Sequence, residues 1–150
     1  MSTAPIVAGT DGSASADLAV AKAAEMAAAL DATVHIVMSY KDPQRGSYMA
    51  ALGGVPIDIS GLDADVRAQA EAIVSASKTR IAETGVRAET HVCCGEPAEA
   101  LITIAEGEGA QMIVVGNRGM AGARRMLGSV PNRVSHHAPC CVLIVPTGEE

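Results

Sequence analysis

"QMIVVGNRG" (residues 111–119) decides the fold. Residues 112–115 form an unbroken apolar run that closes on a glycine. A run of this kind suits a strand covered on both faces, and such strands belong to parallel sheets flanked by helices. The continuation, "GNRGMAGARRMLGSV" (residues 116–130), holds four glycines, three arginines and no acid. A buried strand therefore opens onto a stretch built for close backbone approach and positive charge.

Outward from this strand, short β-branched runs alternate with helical patterns. Residues 5–10 ("PIVAGT") read as a first strand, after which "DGS" turns the chain and Ser13 caps an alanine-rich helix reaching about residue 30. Residues 32–39 form a second strand. Residues 41–61 carry Pro43, Gly46, Gly53, Gly54, Pro56 and Gly61 and break the periodicity, so they read as a long mobile excursion with one helical turn near Met49. The second helix spans about 63–84, with Val66, Ala70, Ile73, Val74, Ser77 and Ile81 on one face and Gly85 at its end. A third strand (86–93), a helix opened by Pro97, and the strand at 111–116 follow. Ser129 is expected to cap a short helix with Pro131 in its first turn, and residues 140–145 ("CCVLIV") form the last strand. Five strands joined by helical crossovers give an α/β fold, a doubly wound parallel sheet in a single domain over residues 1–150.

Composition narrows the functional classes. About half of the 150 residues are apolar, so a core can form without disulfides or metals, yet there is no Phe or Trp and only Tyr40 and Tyr48. The net charge of −6 argues against a general nucleic-acid or anionic-membrane surface. No apolar run approaches the roughly 20 residues of a membrane span. The first residues lack a basic, apolar signal pattern, so a cytoplasmic protein with reduced thiols is expected. The pairs Cys93–Cys94, Cys140–Cys141 and His136–His137 are read as structural: neighbouring strand residues point to opposite faces, so each cysteine pair can offer only one thiol to a common site. The cysteines are expected to be small buried apolar groups, and the histidines to sit near a helix C-terminus.

In a doubly wound sheet, ligands sit beyond the carboxyl ends of the strands at the switch in strand order. "GTDGS" after the first strand and the glycine-rich stretch after the fourth should meet there. Gly116 and Gly119 allow close approach, Gly128 and Ser129 lead into a helix N-terminus that favours an anion, and Arg118, Arg124 and Arg125 can neutralise phosphate. The spacing G-x-x-G-x-x-G differs from the dinucleotide fingerprint, and no G-K-[ST] occurs. Asp11 is the one obvious acid at this mouth. Phosphoryl transfer needs a metal cradle and a positioned base, so binding is better supported than catalysis.

These residues resemble the universal stress proteins over nearly the whole chain. "IVAGTDGS", "GEPAEALITIAEGEGAQMIVVG" and "GNRG…GSVPNRVSHHAPCCVLIVP" carry the likeness. The nucleotide-binding branch of that family has G-x2-G-x9-G-[ST], and Gly116, Gly119, Gly128 and Ser129 take those places, with only eight residues between Gly119 and Gly128. The resemblance implies a Rossmann-like sheet of order 3-2-1-4-5 and a nucleotide pocket. It implies Thr10 and Asp11 near ribose and adenine, and Met38 and Ser39 offering backbone to the adenine edge. Val115 would lie on the base, Gly116 and Gly119 on ribose and phosphate, and Gly128, Ser129 and Val130 on phosphates. The implied ligand is an adenine nucleotide: ATP first, with Mg2+ accompanying it, and cAMP or AMP as alternatives. A slow ATPase or autophosphorylating protein, with Ser129 or a neighbour as acceptor, is the enzymatic alternative. The implied assembly is a homodimer through residues 140–145. The expected role is a stress-response or signalling module acting on a protein partner, without nucleic acid or membrane.

Overall fold

The structure is a computed structural model that describes residues 3–41, 62–117 and 127–147. The elements in chain order are β1 (Ile6–Gly9), α1 (Ala14–Leu30), β2 (Val34–Tyr40), α2 (Leu62–Ala82), β3 (Ala88–Cys94), α3 (Pro97–Glu108), β4 (Met112–Gly116), α4 (Ser129–His137) and β5 (Cys141–Val145). All strand pairs are parallel, in the order β3-β2-β1-β4-β5. The expected strands and helices are all present, with ends shifted by one or two residues. The excursion at 41–61, with its proposed turn near Met49, falls outside the described residues apart from Lys41.

Alternation within each strand sorts the core into two layers. Ile6, Ala8, Val34, Ile36 and Val114 pack against the inner faces of α1 and α2. Val7, Val37, Ile113 and Val115 pack against α3 and α4, where Ala98, Leu101, Ala105 and Val134 meet them. The contact face of α1 is almost purely alanine: Ala19, Ala23 and Ala27 are at most 1% exposed. Side chains this short bring the helix axis close to the sheet, so little room is left for larger groups. Arg80 of α2 makes two hydrogen bonds to the Asp17 carboxylate of α1, at 2.9 and 2.8 Å, and ties the two helices together at the surface.

The turn from β1 into α1 is fastened by its own side chains. Thr10 Oγ1 accepts the Gly12 N–H at 3.1 Å, Asp11 Oδ1 accepts the Ser13 N–H at 2.9 Å, and Ser13 Oγ caps the helix by accepting the Ala16 N–H at 3.1 Å. Gly12 has φ of +82°, and a Cβ there would stand 3.0 Å from Ile73 Cδ1, so both backbone and space select glycine.

Two expectations need correction. Ser129 is not the cap of α4. Gly128 has the extended cap conformation, and Ser129 is the first helical residue. The cysteines are not all buried: Cys93 and Cys140 are half-buried, whereas Cys94 and Cys141 are exposed. The pairs sit on the two edge strands or at their margins, so one member of each faces solvent. His136 and His137 do occupy the last turn of α4.

Ala23→Leu should destabilise the fold by about 1–3 kcal/mol through overpacking, while Ala29→Leu on the exposed side of α1 should stay within about 0.5 kcal/mol. Urea denaturation of the two variants checks this.

Candidate functional site

β1 is the central strand, with β2 on one side and β4 on the other. The chain leaves β1 toward β2 through α1 and later crosses back to β4 through α3. Beyond the carboxyl ends of β1 and β4 the two halves diverge, which leaves a crevice at the switch point. The last bond across this boundary on the β2 side runs from the Thr10 N–H to Val37 O, at 3.0 Å.

A cleft of about 610 Å³ occupies the crevice. That volume falls within the usual range for small-molecule sites. Its floor is apolar, from Val37, Leu101 and Val115, and its polar rim is set by Thr10, Asp11, Ser39 and Ser129. The start of α4 closes one side through Gly128, Ser129, Val130 and Pro131. Among the described residues, no side chain caps that helix. Its first N–H groups and the positive end of its dipole therefore face the cleft. Pro131 has no N–H, so this donor character is concentrated on the residues just before it.

Most of the expected residues come together here. Thr10, Asp11, Ser39, Val115, Gly116, Gly128, Ser129 and Val130 all line the cleft. Met38 does not line it. Its side chain packs into the α1–α2 layer, which leaves only its backbone to serve a ligand. Arg118, Gly119, Arg124 and Arg125 lie outside the described residues.

Several lining residues escaped the sequence reading. Gly9 lets Leu101 approach, since a Cβ there would lie 3.2 Å from Leu101 Cδ1. Ser15 and Ala16 bring the first turn of α1 into the wall, and Pro97 brings the start of α3. Asn117 fixes the root of the glycine-rich stretch. Its N–H bonds Val145 O at 2.9 Å, and its Oδ1 accepts the Thr147 N–H at 2.9 Å and the Thr147 hydroxyl at 3.0 Å. An Asn directly after a strand was the available signal, but glycines and arginines on either side masked it.

The start of α4 gives the cleft an electropositive side, and Asp11 gives it a carboxylate. Asp11 is the only carboxylate among the described lining residues, and no histidine or cysteine is among them. Burial pushes the thiols of Cys93 and Cys140 up, away from a reactive thiolate. Among the described residues, no helix is long and apolar enough to cross a membrane.

Relatives share this architecture. The pattern of the Universal stress protein family matches residues 3–146. Universal stress protein Rv1636 of Mycobacterium tuberculosis is 38% identical over 146 residues, which cover 95% of each chain. A solved universal stress protein in complex with cAMP is 32% identical, with a TM-score of 0.72 and coverage of 99% of this chain and 100% of that one. A universal stress protein from Archaeoglobus fulgidus in complex with dAMP is 25% identical, with a TM-score of 0.68 and coverage of 97% and 99%. With the family pattern spanning all nine elements of the sheet and its helices, the chain belongs to the universal stress protein family.

Proposed function

We propose that this protein binds an adenine nucleotide in the cleft at the ends of β1 and β4 and signals its occupancy to a protein partner. The observation that carries the reading is the joining of an apolar floor to a helix start that no described side chain caps. A base would lie on Val37, Leu101 and Val115. Thr10 and Asp11 would meet ribose and adenine, with backbone at Met38 and Ser39 along the adenine edge. Gly116 and Gly119 would approach ribose and phosphate. Phosphate would then take the N–H groups at Gly128, Ser129 and Val130.

ATP is the first choice, because Arg118, Arg124 and Arg125 supply more positive charge than one phosphate needs. Mg2+ would arrive on the phosphates, with Asp11 the one described lining carboxylate that could approach it. The cAMP and dAMP held by two structural relatives favour a second reading with a single phosphate. The shortened spacing between Gly119 and Gly128 points the same way. Hydrolysis or phosphorylation of Ser129 has less support, since Asp11 already accepts the Ser13 N–H and no second acid or imidazole lines the described cleft. Within this reading the whole chain acts as one cytoplasmic stress-response domain.

A homodimer through β5 belongs to the same proposal. β5 is an edge strand, and residues 138–147 carry no charged side chain to block pairing. Val142 and Ile144 pack against the α3–α4 layer, so a charge there would test the fold rather than the interface. Cys141 is exposed and is the better probe.

Isothermal titration calorimetry with ATP, ADP, AMP and cAMP tests the site. Asp11→Asn, which keeps an oxygen for the Ser13 N–H, and Gly116→Val should each weaken binding at least about tenfold, or roughly 1.4 kcal/mol. Unchanged affinity in folded variants places the nucleotide elsewhere. Replacing Arg124 and Arg125 together by Gln should lower affinity for ATP and leave AMP nearly untouched. Equal losses for both ligands exclude a role at the β- and γ-phosphates.

For assembly, Cys141→Lys should shift sedimentation from dimer toward monomer at low protein concentration. A variant that remains fully dimeric moves the interface to another face.

A further inference from the structure

At the opposite end of β2 from the cleft, His35, His91 and Glu108 bring three ligand atoms within 4.8 Å of one another. His35 lies near the start of β2 and is 4% exposed. His91 lies on the edge strand β3, half-buried, and Glu108 is the exposed last residue of α3. In the parallel register, His35 stands beside Glu89, and Val37 beside His91. Side chains alternate along each strand, so both imidazoles project on the face that α3 covers.

The two rings meet in an unusual way. His35 Nδ1 lies 2.7 Å from His91 Nε2, with ring centroids 5.0 Å apart and planes 20° from parallel. One ring must donate a proton to the other, so together they hold a single proton between two lone pairs. Two acids stand beside them. The Glu89 carboxylate is 3.9 Å from His35 Nδ1, and Glu108 completes the group. Glu108 is also placed against its own helix. The last turn of α3 holds no base, and a carboxylate there opposes the negative end of the dipole. A cation bound at Glu108 removes that conflict.

We propose that His35, His91 and Glu108 form a binding site for one divalent transition-metal ion, of which Zn2+ fits best. Two imidazoles and one carboxylate supply three positions of a tetrahedral zinc shell, with the fourth open to water or to Glu89. The ion takes the place of the shared proton. At Zn–N bonds of about 2.0–2.1 Å, two nitrogens of a tetrahedral shell stand about 3.3 Å apart. The pair therefore opens from 2.7 Å by about 0.6 Å, a movement His91 can make from its half-buried place on an edge strand. Nitrogen donors disfavour Mg2+ and Ca2+, which take oxygen shells. The ion would pin β3 to β2 and to the end of α3, one step along the sheet from the cleft floor, where Val37 stands beside His91.

The test is calorimetric titration of the nucleotide-free full chain with ZnCl2, with MgCl2 as the comparison, and thermal melting with and without Zn2+. One Zn2+ per chain should bind and raise the melting temperature, while Mg2+ should do neither. Glu108→Gln, an exposed change that leaves the core intact, should weaken Zn2+ at least about tenfold, and His91→Gln should weaken it more. Cys93→Ser/Cys140→Ser should bind as the parent does. The proposal is overturned by the lack of a stoichiometric Zn2+ site. It is equally overturned by affinity that survives both Glu108→Gln and His91→Gln, or by affinity lost in the cysteine variant alone.

Discussion

The position of β1 governs the rest of the molecule. It is bonded on both sides, to β2 and to β4, so its backbone donors and acceptors are committed as far as Gly9. The Thr10 N–H makes the final bond, to Val37 O. Past that point the neighbouring segments turn to opposite faces and the ladder cannot continue. A cleft at this place is a topological necessity rather than an added feature. What the sequence decides is what lines it: small residues at Gly9 and Ala16, apolar groups below and, on one side, a helix start that no described side chain caps.

The fold was legible because its signals are local. β-branched runs, a Ser cap at Ser13, a Pro start at Pro97 and glycines at turns each announce an element boundary, and these cues agree with one another. The alanine face of α1 was legible as composition. Its consequence, a closely seated helix that admits no larger side chain, follows only when the sheet is in place.

The site was legible where chemistry and backbone coincide, at Thr10, Asp11, Gly116 and the segment from Gly128 to Val130. It was less legible where one residue does two things. Asp11 lines the cleft and also accepts the Ser13 N–H that shapes the turn into α1. Serine is a frequent cap, but at the start of α4 Gly128, in the extended region, takes that role and Ser129 is already helical. His35 and His91 left no sequence signature, being 56 residues apart and paired only through strand register. Single polar residues on two strands become a cluster only once their relative slide is known.

Asn117 extends the pairing of β4 and β5 past the end of their ladder. One amide holds the exit of β4 against the end of β5, through Val145 and Thr147. The glycine-rich stretch begins at this residue, and the edge strand ends on its partners. A strain applied along β5, from any molecule that pairs with it, reaches the mouth of the cleft through the β4–β5 ladder, which ends at Gly116, and through the Asn117 side chain. Free-energy linkage makes that path two-way: whatever the cleft gains from order at Asn117, the edge strand feels in equal measure.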